Sequence, residues 1–314
     1  MSTTPSQITP HRATRVDVPA RWGPLAALHA PAVGGGTGSG GKGADGADHD
    51  ALVVFLPGYT GSKEDFAPLL DPVAESGFSV LALDLPGQHE SAGPSDEADY
   101  LPDPLGRALA EVLTALANGQ GVAGSRQPRP VLLVGHSYGG LVARSAVLAG
   151  APVHGLVLLD SGPAALPDGD RRRLLDLGEP LLRAHGVEAV QRIREAQDAN
   201  DPRWAERPAE LKELLRRRFV ESVPAGLLGM ATGLRSEPDR VSALADALRE
   251  RAIPCAVVCG EHDDAWAVET QRAMAERLGA DFTVLPGAAH SPNIEAPEAL
   301  LATLLPTWRA WLTR

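Results

Sequence analysis

The sequence predicts an α/β fold in which a mainly parallel sheet is flanked by helices. From Ala51 onward, short apolar runs typical of strands alternate with longer segments of helical character. Alternation of this kind favours parallel strands joined by crossover helices. The run at 51–57 is continuously apolar, which is typical of a strand buried on both faces. The length of 314 residues allows one large domain or two ordinary ones.

Each predicted element is bounded by residues that favour turns or helix starts. The strands are short apolar runs between segments rich in glycine, proline and aspartate, and they are predicted at 14–19, 25–33, 51–57, 78–83, 131–134, 155–159, 253–259 and 282–285. Ser62 is a typical residue for the start of a helix, and Pro102 and Pro104 lie near the start of another. The helices of this alternating series are predicted at 62–76, 101–117, 141–149, 268–278 and 298–312.

The alternation is interrupted once, between Gly162 and Arg251. This segment is charged and helical, with the clearest helices at 187–197, 209–219 and 243–251. It contains two arginine triplets, at 171–173 and 216–218, which are most simply solvated helix faces and could alternatively meet an acidic partner. The predicted core is therefore 14–161 together with 252–314, and 162–251 is a helical insertion.

Two segments are expected to lack regular structure. Residues 1–13 are expected to form a disordered N-terminal tail. Residues 34–50 are mostly glycine, aspartate and alanine, and we expect a flexible surface loop there. No helix follows this segment, so its glycines do not match a dinucleotide-binding turn.

Composition excludes several classes of protein. The formal net charge of −11 argues against a nucleic-acid binder, which needs a basic surface. No run approaches the ~18 apolar residues of a membrane span, and the N-terminus lacks the apolar core of a signal peptide. Cys255 and Cys259 share one predicted strand, about 13 Å apart, which is too far for a disulfide. Free thiols fit a cytoplasmic protein, and without a second cysteine pair a zinc site is improbable.

A candidate nucleophile lies in the stretch from Gly135 to Gly139, which reads Gly-His-Ser-Tyr-Gly. It stands between a predicted strand and a predicted helix, the context in which this pattern indicates a nucleophile elbow. A turn sharp enough to lift Ser137 above the sheet crowds its neighbours, and residues without a Cβ tolerate that crowding. The alternative is an ordinary glycine-rich turn between strand and helix.

A serine hydroxyl needs an adjacent base, and histidine suits that role because its pKa lies near neutrality. His290 is the best placed, because it follows the last predicted strand at the carboxyl edge of the sheet, where catalytic residues gather. The side chain of His136 is expected to point away from Ser137 and to serve packing or support. Weaker candidates for the base are His89, which could approach the site, His154 and His262.

The third member of such a site is a carboxylate that orients the imidazole. Asp263 follows the predicted strand at 253–259 and therefore lies at the same edge as Ser137 and His290. The competing carboxylates are Asp160, which ends another strand, and the neighbours Glu261 and Asp264.

The order Ser137, Asp263, His290 resembles that of the α/β-hydrolase superfamily. The resemblance runs from about residue 51 to the C-terminus and includes the sequences Leu-Pro-Gly-Tyr at 56–59, Asp-Leu-Pro-Gly-Gln-His-Glu-Ser at 84–91 and Ala-His-Ser-Pro-Asn-Ile-Glu-Ala-Pro at 289–297. It implies an α/β-hydrolase fold and a helical cap at 162–251. It also implies that the backbone N–H groups of Tyr138 and Tyr59 form an oxyanion hole.

The sequence departs from the family pattern at two positions, because Pro57 replaces the usual histidine of the oxyanion loop and His89 replaces a glycine. The resemblance implies a serine hydrolase that cleaves a carboxylic ester of a small or medium-sized substrate and needs no metal or organic cofactor. Alternatives are a thioesterase, an amide or carbon–carbon bond hydrolase, or a ligand-binding protein without turnover. Dehalogenases and epoxide hydrolases of this fold would carry aspartate at position 137.

Overall fold

The computed structural model describes residues 4–33, 51–122, 127–200 and 202–313. The predicted glycine-rich loop at 34–50 and the first three residues lie outside these ranges. Within the described residues one eight-stranded sheet forms the centre of the molecule.

The strands of this sheet agree closely with the predicted runs. They are β1 (Thr14–Val18), β2 (Leu25–Ala30), β3 (Leu52–Leu56), β4 (Ser79–Leu83), β5 (Val131–His136), β6 (Gly155–Leu159), β7 (Cys255–Gly260) and β8 (Asp281–Leu285). Their spatial order is β1-β2-β4-β3-β5-β6-β7-β8. The pairings of β1 with β2 and of β2 with β4 are antiparallel, and all the others are parallel. The predicted fold class is confirmed.

Helices cover both faces of the sheet and fill the insertion. They are α1 (Ala67–Glu75), α2 (Pro102–Ala117), α3 (Tyr138–Leu148), α4 (Asp170–Asp198), α5 (Pro202–Ala205), α6 (Ala209–Val220), α7 (Pro224–Ser236), α8 (Val241–Glu250), α9 (Val268–Leu278), α10 (Pro292–Glu295) and α11 (Pro297–Leu312). Short 3-10 helices, Lys63–Phe66 and Glu97–Tyr100, precede α1 and α2. Helix α4 is broken at Gly186, whose φ of 75° is left-handed.

The core consists of two apolar layers, one on each face of the sheet. Helices α2, α3, α8 and α9 cover one face, and α1 and α11 cover the other. Trp308 of α11 shows how the second layer is packed. Its ring is fully buried and meets the edge of Phe55 with centroids 6.3 Å apart and that of Phe78 at 5.6 Å. Aromatic pairs in this geometry stabilise a core beyond the area that they bury.

The insertion has a small apolar cluster of its own, which ties α4, α6 and α7 together. Its buried members are Leu182, Val187, Val190, Phe219, Leu227 and Leu228. Helix α8 behaves differently, because Val241, Leu244 and Leu248 join the core layer beside α3 and α9. A parallel crossover from β6 to β7 needs a helix on the sheet, and α8 is that helix. By its packing, α8 belongs to the core, and the insertion ends before Val241. The sequence analysis placed the end of the insertion at 251.

Residues 4–13, expected as part of a disordered tail, contact the core. The Arg12 guanidinium pairs with Asp71, whose Oδ2 lies 3.1 Å from Nε, and Gln7 Nε2 donates to Asp65 Oδ1 at 3.1 Å. The sequence does not indicate that these isolated polar residues contact the core, because their partners lie about 60 residues away in the chain. Among the described helices, none combines the length and apolarity required to cross a membrane.

Candidate active site

Ser137 occupies a strained turn between β5 and α3, with φ 53° and ψ −119°. Such a backbone is rare for a residue with a side chain and persists only where the surroundings enforce it. Two glycines make this turn possible. A Cβ on Gly135 would lie 2.4 Å from the carbonyl oxygen of Gly139, and a Cβ on Gly139 would lie 2.5 Å from that of Leu56. The close approach of three backbone segments thus lifts the Ser137 hydroxyl above the end of β5.

His290 lies in the loop after β8, and its ring reaches Ser137. The Nε2 atom of His290 is 2.9 Å from Ser137 Oγ. The loop is held by Glu295, whose Oε2 accepts hydrogen bonds from the N–H groups of Ala289 at 2.6 Å and Ser291 at 3.3 Å. This glutamate belongs to the motif at 289–297, so the sequence contained a signal for it.

Asp263 follows β7 and hydrogen-bonds to the other ring nitrogen of His290. Its Oδ1 accepts from His290 Nδ1 at 2.8 Å and from the Ala265 N–H at 2.8 Å, while Oδ2 accepts from Gln271 Nε2 at 2.6 Å. Burial acts to raise the pKa of Asp263, but the hydrogen bond and positive charge of His290 and the bonds from Ala265 and Gln271 outweigh it, so the pKa is lowered. An ionised Asp263 holds the His290 proton on Nδ1 and leaves Nε2 free to accept the proton of Ser137.

The competing carboxylates have other partners. Asp160 is fully buried, and its Oδ1 accepts from the Gly260 N–H at 2.9 Å. Burial first, and then the negative charge of Asp263, raise the pKa of Asp160 well above its usual range, which favours a neutral carboxyl. Glu261 accepts from the Gly287 N–H at 2.9 Å, and Asp264 pairs with Arg171 at 2.6 Å.

His136 lines the cavity beside Ser137 instead of pointing away from it. Its Nε2 donates to the backbone carbonyl of His290 at 2.7 Å, so it supports the loop of that residue. Burial and then the positive charge of His290 lower the pKa of His136 to about 4. A neutral ring with its proton on Nε2 satisfies this hydrogen bond.

The other histidines considered for the base lie elsewhere. His89 adopts φ 42°, in the left-handed region that favours glycine, which explains the family's glycine at this position. Its Nδ1 lies 3.4 Å from Lys63 Nζ and 3.5 Å from Glu64 Oε2, in a buried charged cluster. His154 precedes β6 and accepts from the Val131 N–H at 3.4 Å, and His262 is exposed near Glu261.

The loop after β3 approaches Ser137 closely. A Cβ on Gly58 would lie 3.0 Å from the Cβ of Ser137, and the Gly58 carbonyl accepts from Gln88 Nε2 at 2.8 Å. Among the hydrogen bonds of the described residues, none uses the N–H of Tyr59 or Tyr138 as donor. Within the described residues, no acceptor therefore competes for either N–H group. Pro57 does not keep the loop away.

A cavity of about 380 Å³ opens over Ser137 and His290. Leu166, Leu174, Leu175 and Leu234 give it an apolar wall, and Arg171, Arg194 and Arg218 give it cationic groups. Arg171 and Arg218 come from the triplets that were predicted to be solvated helix faces. Consecutive residues on a helix point about 100° apart, so one member of a triplet can face the cavity while the others face solvent.

Sequence reasoning missed three side chains that shape this site. They are Gln271, which anchors Asp263, Gln88, which anchors Gly58, and Arg194 in the cavity wall. Gln88 lies within the motif at 84–91, but nothing in the sequence pairs it with residue 58. Gln271 and Arg194 are ordinary helical residues, and only their packing reveals them.

Among the described residues, two clusters of carboxylate and imidazole groups are dense enough to be considered for a metal: Glu64 with Asp84 and His89, and Asp160 with Asp263 and His290. In the first, the Lys63 ammonium lies 3.0 Å from Asp84 Oδ2 and 2.9 Å from Glu64 Oε1, so a cation already balances the carboxylates. In the second, the His290 ring bonds to Asp263 and Ser137 through both nitrogens. Neither arrangement resembles an open set of metal ligands.

The fold and the nucleophile turn define a class of protein. The chain matches the sequence model of the alpha/beta hydrolase family over residues 53–303. It therefore belongs to the alpha/beta hydrolase family. The predicted superfamily is confirmed.

Particular relatives point to more than one chemistry. The chain is 30% identical over 261 residues to 2-succinyl-6-hydroxy-2,4-cyclohexadiene-1-carboxylate synthase of Escherichia fergusonii, a match that covers 80% of this chain and 91% of the relative. Among solved structures, a thermophilic esterase from Thermogutta terrifontis is similar with a TM-score of 0.65 and 22% identity, covering 95% of this chain and 99% of the esterase. MenH from S. aureus is similar with a TM-score of 0.65 and 19% identity, covering 91% and 98%. At these sequence identities the structural similarity shows a shared fold alone.

Proposed function

We propose that this protein is a serine hydrolase that cleaves a carboxylic ester of a small or medium-sized substrate, with Ser137 as nucleophile, His290 as base and Asp263 as the carboxylate that orients His290. The observation that carries the proposal is the continuous hydrogen-bonded chain of these side chains, with 2.9 Å between Ser137 and His290 and 2.8 Å between His290 and Asp263. These distances lie within the reach that nucleophile activation needs.

Acylation begins when His290 Nε2 removes the hydroxyl proton of Ser137 and Oγ attacks the ester carbonyl. The carbonyl oxygen becomes an oxyanion, which accepts hydrogen bonds from the Tyr138 and Tyr59 N–H groups. Collapse of the tetrahedral intermediate breaks the bond to the alcohol oxygen, and His290 returns its proton to the leaving alcohol. Each such oxyanion donor typically contributes about 10²–10³ in rate.

Deacylation repeats the sequence with water as the nucleophile. His290 removes a proton from water, and the resulting hydroxide attacks the acyl carbon bound to Ser137. The second tetrahedral intermediate releases the acid, and Ser137 recovers its proton from His290. Asp263 stays ionised throughout and stabilises the imidazolium at each step, in keeping with its lowered pKa.

A fluorophosphonate probe tests the nucleophile. The native protein should gain the mass of one probe adduct, and Ser137→Ala should gain none. Ser236→Ala is a matched control, because Ser236 is an exposed serine on α7 whose hydroxyl donates to the Thr232 carbonyl at 2.8 Å. Equal labelling of native protein and Ser137→Ala, or hydrolysis of a panel of esters that survives Ser137→Ala, contradicts the proposal.

A second candidate is the reaction of the synthase relatives, carried out with the same three side chains. The 30% identity to the Escherichia fergusonii enzyme over 80% of this chain favours it. In that case Ser137 and His290 would act on a carboxylate-bearing compound without hydrolysing an ester. Side-by-side assays with the relative for formation of its named product, together with the ester panel, separate the two. Product formation without ester turnover favours the second candidate.

A further inference from the structure

A second cavity adjoins the cavity over Ser137. The second space, of about 270 Å³, is lined by Gln191, Trp204 and Phe219 among others. The two cavities share four lining residues, Gln7, Thr60, Arg194 and Arg218. Arg194, on helix α4, therefore lies between the cavity that contains Ser137 and the second cavity.

The three arginines of the main cavity differ in their partners. Arg171 pairs with Asp264 Oδ1 at 2.6 Å, and Arg218 pairs with Asp65 Oδ1 at 2.6 Å. Arg194 has no ion pair or hydrogen bond with any residue of the described chain. Its guanidinium lies 4.3 Å above the centre of the Phe219 ring. A cation on an aromatic face keeps its donor edge free for a ligand.

Among the described residues, no carboxylate pairs with Arg194, although Asp198 lines the second cavity with it. Arg194 is exposed and lines both cavities; partial loss of hydration lowers its guanidinium pKa, and the charge of Arg218 lowers it further. Asp198 and Tyr59 act in the opposite direction, but within the described residues neither forms an ion pair or hydrogen bond with the guanidinium. A ligand anion placed against this unpaired guanidinium gains charge-assisted hydrogen bonds.

We infer that Arg194 is the binding residue for a carboxylate of the substrate, at the end of the molecule away from the bond that Ser137 attacks. The inference rests on the proposed function, because it assigns a substrate class to the same site. A planar guanidinium matches a carboxylate with two parallel hydrogen bonds. A single uncompensated positive charge matches a carboxylate better than a phosphate dianion, since Arg218 is already neutralised by Asp65.

Matched ester pairs measure this preference in the full-length protein. Phenyl hemiesters of succinate, glutarate and adipate are compared with the same compounds whose free carboxyl is capped as a methyl ester, and the ratio of their kcat/KM values is the readout. The native protein should prefer the free carboxylate at one chain length. Arg194→Gln should reduce that ratio about 10- to 100-fold, as expected for a lost charge-assisted hydrogen bond.

Two further variants control for structural damage. Arg192→Gln removes an exposed arginine two positions away on α4, outside both cavities, and should leave the ratio unchanged. Arg194→Glu should reverse the preference in favour of the capped esters. A native ratio near one, or an equal loss of the ratio in Arg192→Gln and Arg194→Gln, overturns the inference.

Binding without turnover separates this inference from the proposed function. Calorimetry with Ser137→Ala should show monoethyl succinate binding more tightly than diethyl succinate, and the difference should disappear in Ser137→Ala/Arg194→Gln. This result supports the carboxylate subsite even if no ester is hydrolysed. Absence of the difference, with esters still cleaved by the native protein, refutes the subsite and leaves the hydrolase proposal standing. Tighter binding of ethyl phosphate than of monoethyl succinate overturns the carboxylate assignment.

Discussion

Asp263→Asn keeps the shape of the side chain that orients His290 and removes its charge. The oxygens of Asp263 accept from three donors, His290 Nδ1 and the Ala265 N–H at 2.8 Å each, and Gln271 Nε2 at 2.6 Å. Asparagine has one acceptor oxygen and one NH₂ donor, so it cannot satisfy all three. The substitution therefore forces a choice between two arrangements.

In one arrangement the asparagine NH₂ replaces Oδ1 and faces His290, and the Ala265 N–H loses its acceptor. Nδ1 must then accept a hydrogen bond, the ring proton moves to Nε2, and that nitrogen can no longer take the proton of Ser137. In the other, the NH₂ faces Gln271 Nε2, which also donates to the Trp266 carbonyl at 2.9 Å and would lose that bond if the amide turned. We expect the first arrangement and a fall in kcat of about 10³–10⁴, or roughly 4–5.5 kcal/mol in activation free energy.

Steady-state hydrolysis of an ester that the native protein cleaves is the assay. Asp264→Asn is the control, because it removes the neighbouring carboxylate that pairs with Arg171 and leaves the bonds to His290 intact; it should retain most of the activity. If Asp263→Asn kept near-native kcat while Asp160→Asn lost it, Asp160 would be the orienting carboxylate, and the reasoning from the hydrogen bonds would be refuted.

Three further changes test the buried polar groups and the turn around the nucleophile. Because the pKa of Asp160 is raised in the folded protein, its contribution to the free energy of unfolding is fully present below about pH 4 and falls as the pH rises through the folded-state pKa, by at most about 1.4 kcal/mol per pH unit. In urea titrations at pH 5 and 8, the stability of Asp160→Asn relative to the native protein should therefore be greater at the higher pH. An equal change in both proteins between the two pH values would contradict this. Gly135→Ala should abolish fluorophosphonate labelling and lower the urea midpoint, because its Cβ would lie 2.4 Å from the Gly139 carbonyl; an unchanged midpoint with normal labelling would show that the turn can relax. Glu237→Gln removes the negative charge that lies 2.6 Å from the buried Arg144 and should destabilise the fold by about 3–5 kcal/mol in urea unfolding. A loss below about 1 kcal/mol would mean that the amide oxygen or water satisfies the guanidinium.

The fold class and most element bounds were accessible to sequence reasoning, because they depend on local patterns. β6 lies at 155–159 as predicted, and helix α9 likewise spans Val268–Leu278. Helix α7 (Pro224–Ser236) was missed, because its three glycines weaken the helical signal. Helix α8 has a clear apolar face, but the sequence does not say which surface that face meets, and its packing against α3 and α9 assigns it to the core.

The candidate site was also predictable only in part. The sequence predicts that Ser137, Asp263 and His290 meet at one edge of the sheet, because each follows a strand and parallel strands share their direction. The choice among the carboxylates depends on side-chain direction, with Asp263 2.8 Å from the His290 ring and Asp264 turned toward Arg171. A shift of one residue in a loop would reverse these directions without changing any pattern in the sequence.

The arginines that line the cavity show most clearly what local sequence patterns cannot predict. Local chemistry is enough to recognise the turn from Gly135 to Gly139, because the residues that crowd one another there are neighbours in the chain. Whether Arg194 faces solvent or a cavity depends on how a helix packs against segments 135 or more residues away in the chain, such as the loop after β3 that carries Tyr59. Helical periodicity defines the angle between two side chains on one helix, whereas the tertiary packing of the insertion determines which of them lines the cavity.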